Sequence, residues 1–111
     1  MANTFINSIS GSIGTAETTI YSAPDNTTTT VIGVSVSSRV QSNILVDVLL
    51  EESGSLNTAY LCSGSLIPPG SNIILVGGEQ KVVMETGDTL KMRSNTAGSA
   101  DIIVSALEIT P

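Results

Sequence analysis

The sequence predicts an all-β protein, an antiparallel β-sandwich of jelly-roll or Greek-key type with about eight or nine short strands. Three observations predict it. Apolar and polar residues alternate with a period of two from Tyr21 to the C-terminus, which is the pattern of strands with one buried face. Clusters of Gly, Pro, Asn, Asp and Ser interrupt that alternation roughly every ten residues, the strand spacing of sandwiches and barrels. The apolar content is mostly Val, Ile and Leu, with aromatics limited to Phe5, Tyr21 and Tyr60. Branched side chains lose little on a pleated surface and crowd a helical turn.

The elements follow from that pattern. Residues 1–14 alternate poorly and are broken by Asn3, Asn7, Gly11 and Gly14, so they are expected to form an N-terminal arm or an irregular first strand. An arm without a partner in its own domain can add to a neighbouring subunit's sheet. Residues 15–111 are expected to form one sandwich domain. Thr18 and Ile20 oppose Glu17, Thr19 and Tyr21, and Pro24-Asp25-Asn26 turns the chain. The run Thr27 to Thr30 reads as solvated strand leading into Ile32, Val34 and Val36 on one face, with Gly33 and Ser35 on the other.

Ile44, Val46, Val48 and Leu50 make the cleanest apolar face and oppose Leu45, Asp47, Leu49 and Glu51, so this strand is expected to be central. Glu52 to Asn57 is a turn, and Thr58 to Ser63 resumes a strand through Tyr60 and Cys62. Pro68-Pro69-Gly70 is the sharpest break, since proline cannot donate to a ladder. Ile73 to Val76 follows, Gly77-Gly78 is expected to reverse the chain, and Val82 and Met84 oppose Lys81, Val83 and Glu85. Thr86-Gly87-Asp88-Thr89 has the composition of a turn that uses Gly for positive φ. Leu90, Met92 and Ser94 then oppose Lys91 and Arg93. The last strand sets Ile102, Val104 and Ala106 against Ile103, Ser105, Leu107 and Ile109. A strand apolar on both sides belongs in the middle of a sheet or at an interface.

Composition narrows the function. The 111 residues fit one core and bury roughly two-thirds of the unfolded surface. A net charge of −6 with Arg39, Lys81, Lys91 and Arg93 as the only basic residues argues against nucleic acid as a partner, because phosphate binding needs clustered cations. No segment approaches the ~20 apolar residues that cross a bilayer, and no membrane partner is expected. The first residues carry neither the positive charge nor the apolar run of a signal peptide, so synthesis in a cytoplasm is expected. With one cysteine, Cys62, an internal disulfide is impossible.

The parts of most catalytic sites are missing. There is no His to activate a Ser or Cys nucleophile, and Lys81 and Lys91 fall on outward positions, so no catalytic residue is assigned and no enzyme is expected. Asp47, Glu51 and Glu52 lack the dense oxygen-ligand spacing of a calcium loop, and Asp25 and Asp88 sit in turns where carboxylates bond local backbone. No metal ligand and no cofactor is assigned. Cys62 reads as a small buried hydrophobe. Three scattered aromatics offer no platform for sugar stacking. The leftover apolar positions Leu45, Leu49, Ile103, Leu107 and Ile109 are therefore the candidate interface, in a protein that works through contact.

The succession Thr19-Ile20-Tyr21-Ser22-Ala23-Pro24, Thr30-Val31-Ile32-Gly33-Val34-Ser35-Val36 and Ile44-Leu45-Val46-Asp47-Val48 resembles small β-sandwich virion proteins of tailed bacteriophages, including cyanophages. Ile67-Pro68-Pro69-Gly70, Gly78-Glu79-Gln80-Lys81-Val82-Val83-Met84-Glu85, Thr86-Gly87-Asp88-Thr89-Leu90-Lys91-Met92 and Ile103-Val104-Ser105-Ala106-Leu107-Glu108-Ile109 look like the strand and turn order of the same group. The resemblance covers the chain from about Gly14 onward. It implies a structural piece of a virion without catalysis or cofactor, partnered by copies of itself, as a trimer or other small oligomer, and by major capsid or tail proteins. A capsid decoration or cement subunit and a neck, tail, baseplate or fibre component are the two placements it suggests. A free-standing adhesion module is the alternative of another class.

Overall fold

The computed structural model describes residues 2–54, 57–77 and 81–110. Among them are nine strands and no helix: β1 (Ala2–Ile13), β2 (Thr18–Ser22), β3 (Thr28–Ser38), β4 (Ile44–Glu51), β5 (Thr58–Ile67), β6 (Asn72–Val76), β7 (Val82–Met84), β8 (Thr89–Ser94) and β9 (Ala100–Thr110). The turn expected over Glu52 to Asn57 contains Ser55 and Leu56, which lie outside the described residues, as do Gly78, Glu79 and Gln80.

Two antiparallel sheets face each other. One runs β1-β9-β3-β6 with β7 also paired to β3, and the other runs β2-β8-β4-β5. We call them the first and second sheet. β7 bonds Thr29 to Val31 of β3, and β6 bonds Val34 to Ser37 of the same strand, both antiparallel to it. They are consecutive parts of one interrupted strand. Counted as one, the eight strands form two four-stranded sheets in the order of a jelly roll, successive strands changing sheet everywhere but at the β4–β5 hairpin. This corrects the reversal expected at Gly77-Gly78: the chain runs the same way before and after it, because the 11 residues of β3 offer enough edge for both pieces.

The alternation sorts the faces. Ile44, Val46 and Val48 of β4, Leu90 and Met92 of β8, and Ile102 and Val104 of β9 are fully buried, and with Val31, Val34, Val36, Ile67, Val76 and Met84 they form the core between the sheets. β4 and β9 each lie between two neighbours, in keeping with apolar residues on both of their faces. The N-terminal segment is hydrogen-bonded along β9 from Ala2 to Ile13, with a register shift between Ser10 and Ile13. Ile13 is buried in the core and Ile6 packs against it.

Two bulges change the expected phase. Thr19 pairs with Lys91 and Tyr21 with Leu90, leaving Ile20 as the extra residue, so both Ile20 and Tyr21 are buried. In β3, Val31 pairs with Ala106 and Gly33 with Ser105. Ile32 is the extra residue there, half-buried, and the inward set is Val31, Val34 and Val36 rather than Ile32, Val34 and Val36. An inserted residue swaps the faces of everything on one side of it. The same phase buries Thr27 and Thr29, which had read as solvated.

The turns are held by side chains. The buried Asp88 carboxylate accepts the N–H of Glu85 at 2.9 Å within its own turn and that of Ser53 at 2.9 Å from the β4–β5 connection. Gly87 has φ of +85°, and an added Cβ would lie 2.7 Å from the Ser53 hydroxyl. That turn accepts no larger residue without moving its neighbour.

Adjacent positions on β4 test the register. Val46→Asp puts an unpaired carboxylate between the sheets, a loss of several kcal/mol against a typical net stability of roughly 5–15 kcal/mol. It should abolish the cooperative unfolding transition in circular dichroism, whereas Leu45→Ser on the exposed face should retain a near wild-type midpoint.

Candidate interaction surfaces

The outer face of the first sheet is ordered into rows by the strand register. Phe5 lies opposite Leu107, Leu107 opposite Thr30, and Thr30 opposite Val83. Four residues along β1, Ile9 lies opposite Ile103, Ile103 opposite Ser35, and Ser35 opposite Ile74. Between these rows run Asn7, Ser105 and Gly33, and beyond the first lie Asn3, Ile109 and Thr28. None of these residues is charged. Phe5 is 75% exposed, Ile9 65%, Ile74 70%, Val83 58% and Ile103 49%. A shallow groove of about 180 Å³ lies over Gly33, Ser35 and Ser105, walled by Ile74 and Ile103.

At the far end of that sheet the charges are paired. Arg39 Nη1 lies 3.1 Å from Asp101 Oδ1, and it donates to the Ser12 hydroxyl at 2.7 Å. The same carboxylate oxygen accepts the Ser12 N–H at 3.1 Å.

The outer face of the second sheet has a different character. Lys91 Nζ sits 3.2 Å from Glu51 and 3.8 Å from Glu17, and Arg93 Nε donates to Asp47 at 2.8 Å. Asp47 also accepts the Gly64 N–H at 2.6 Å. The Arg93 hydrogen bond first, and the Gly64 N–H second, hold the Asp47 carboxyl below the ordinary aspartate range. Leu45 and Leu66, paired across β4 and β5, and Tyr60 are exposed beside this charged strip.

These positions divide the five expected interface residues. Ile103, Leu107 and Ile109 share the face of the first sheet, while Leu45 and Leu49 belong to the opposite side of the molecule. Leu49 is corrected: it is 2% exposed, flanked across the ladder by Tyr60 and Lys91. Phe5, Ile9, Ile74 and Val83 are the surface residues that were not expected. For Phe5 and Ile9 the signal was the alternation Phe5, Asn7, Ile9 against Ile6 and Ser8 within the irregular-looking N-terminus.

One polar cluster lies at the end of the interior. Tyr21 Oη donates to Glu108 at 2.5 Å and shares a 2.8 Å hydrogen bond with the buried Thr29 hydroxyl. Burial, followed by the Glu108 carboxylate, pushes the phenol up to about 12. Cys62 is half-buried, with its thiol 3.7 Å from the Val46 carbonyl. A depression of about 180 Å³ is lined by Glu52, Glu85 and Asp88, but Asp88 is spent on backbone N–H groups. Among the described residues no three His, Cys, Asp or Glu are grouped to hold a metal.

Two titrations follow. The raised Tyr21 value means that its contribution to stability is complete below about pH 10 and is lost as pH rises toward about 12. In a Tyr60→Phe variant, where Tyr21 is the sole tyrosine, absorbance at 295 nm should rise with a midpoint near 12, not near the ordinary value. For Asp47, whose folded value is depressed, the contribution is present above about pH 4 and disappears as pH falls through the lower folded value. The melting temperature of Asp47→Asn should therefore trail wild type at neutral pH and converge on it in acid.

No protein-family model and no curated protein matches the sequence. Among solved structures, the fold is similar to one described under "Bacillus endospore appendages form a novel family of disulfide-linked pili", with a TM-score of 0.56 at 10% identity over 98% of this chain and 87% of that one. Structures of infectious bursal disease virus, strains Gt and Gx, align over 99% and 96% of this chain but 31% and 35% of theirs, at TM-scores of 0.45 and 0.43 and identities of 12% and 9%. At these identities the likeness is one of fold.

Proposed function

We propose that this chain is a non-enzymatic structural subunit of a virion, a capsid decoration or cement protein that works by surface contact. The observation that carries this reading is the outer face of the first sheet, where the exposed apolar residues Phe5, Ile9, Ile74, Val83 and Ile103 stand in two rows. Soluble monomers rarely expose contiguous apolar patches beyond a few hundred Å², and larger ones mark interaction sites. The chain has no His to act as a base, and the carboxylates of Asp47, Glu51, Asp88 and Asp101 are engaged with cations or backbone N–H groups.

The same fold occurs in the Bacillus endospore appendage described as a disulfide-linked pilus, which is an assembled structure. A disulfide-linked fibre does not extend to this chain: one cysteine per 111 residues joins at most two copies. The acidic charge of the sandwich suits an add-on role at the particle surface, and the resemblance to phage virion proteins is compatible with that role and with a tail, neck or baseplate component.

Gold-labelled antibody against the chain, applied to intact particles from the lysate in which it is made, should decorate the head. Label confined to the tail would replace cement with a tail or baseplate role. Particles free of label, with the protein recovered as a soluble fraction, would overturn the virion reading in favour of a free-standing module.

A further inference from the structure

We infer that the outer face of the first sheet is a homotypic interface, on which a second copy of this chain packs sheet against sheet about a two-fold axis. The inference rests on the reading of the chain as an assembling subunit and goes beyond it by naming face and occupant.

Size supports it first. β1, β9 and β3 run 12, 11 and 11 residues, about 36 Å at roughly 3.3 Å per residue. Four strand positions at about 4.8 Å add a width of about 19 Å, giving the whole face, its Arg39–Asp101 end included, a footprint of about 700 Å², close to the roughly 800 Å² each partner contributes to a standard interface.

Charge selects the occupant. The chain carries −6, so two copies repel wherever acidic groups are brought together. On the second sheet, Glu17, Glu51 and Asp47 lie along the outer face with Lys91 and Arg93 between them. On β1, β9, β3 and β6 the outer face of the first sheet has no charged residue from the Asn3 row to the Ile9 row; Lys81 and Glu85 flank Val83 at its β7 edge, and the Arg39–Asp101 pair is set at the far end. Paired over β1, β9 and β3, two such faces meet without opposing like charges. A partner recognised by charge would find nothing on these strands to read.

Relief supports it third. The Phe5 and Ile9 rows are four residues apart along β1, about 13 Å, and the small residues Asn7, Ser105 and Gly33 lie between them. The groove lies across the second of these rows, over Ser35 between Ile103 and Ile74, with Gly33 and Ser105 beside it. In a two-fold pairing of the same patch, a side chain of the Phe5 row of one copy seats in that groove of the other, as the inner faces of two packed sheets interdigitate about 10 Å apart.

Sedimentation velocity on the full chain from about 1 to 100 μM tests this, with far-ultraviolet circular dichroism to confirm folding. Wild type should sediment at twice the chain mass. Phe5→Glu and Ile103→Glu should each raise the dissociation constant roughly 30-fold or more, as expected for a central anchor, and Leu66→Glu on the second sheet should leave it within about threefold. Phe5 is 75% exposed, so its replacement decides the matter even if Ile103→Glu fails to fold. A wild-type monomer at 100 μM overturns the inference, including when that monomer binds capsids through this face. A dimer dispersed by Leu66→Glu and untouched by Phe5→Glu also overturns it, yet leaves the assembling-subunit reading standing. Absence of label on particles refutes the virion placement, whatever the oligomer.

Discussion

The pleat of the β-strand, which sends successive side chains to opposite sides, is the constraint on which the rest of this molecule depends. Two stacked sheets share one interior and keep two separate exteriors, so each strand contributes half its residues to a common core and half to one outer surface. Val46, Val48, Met92 and Val104 are buried because they are in phase with that interior, and Asp47, Arg93 and Ile103 face out because they are one residue removed. With one phenylalanine and two tyrosines in the chain, the core is aliphatic and depends on close fit between branched side chains rather than on bulky rings. The single phenylalanine is spent on the surface.

Much of the architecture was legible because the pleat writes itself into the sequence. The inward residues of β4, β8 and β9 were readable, and the Pro68-Pro69 break sits where β5 ends at Ile67. Illegible were the places where phase is reset. A bulge residue such as Ile20 or Ile32 looks like any other member of an apolar run, and its effect is set by a partner strand some 70 residues away. Thr29 was misread for that reason: a threonine in phase with Val31 is buried because Tyr21, itself turned inward by a bulge, supplies its hydrogen bond. The joining of β6 and β7 into one interrupted strand is likewise a property of β3 as template and not of Gly77.

The surface was legible in part for a related reason. Ile103, Leu107 and Ile109 could be read from β9 because that strand is apolar on both sides. That they form rows with Phe5, Ile9, Ile74 and Val83 depends on registers between residues as far apart as Phe5 and Leu107, which no local pattern records. Leu49 had the right face and the wrong surroundings. Its neighbours close over it, whereas Ile103 has Ser35 on one flank and an open groove beside it. Outward direction is a local property and accessibility is a collective one.

The closure of the corner between the sheets determines which part of the first sheet remains available. β1 is an edge strand, and an exposed edge is itself a template for pairing. Here the Ser8 hydroxyl donates to the Ile20 carbonyl at 2.8 Å, across the gap from β1 to β2, at the residue the bulge has pushed out of the ladder with β8. At the other end of β1, Ser12 adopts φ of +56° and is tied to Asp101 and Arg39, which twists the strand off its line beyond Ser10. Both devices act at single points of the edge, Ser8 and Ser12, and leave the face untouched. Strand addition at those points competes with bonds the fold already makes, while contact through the two apolar rows displaces only water.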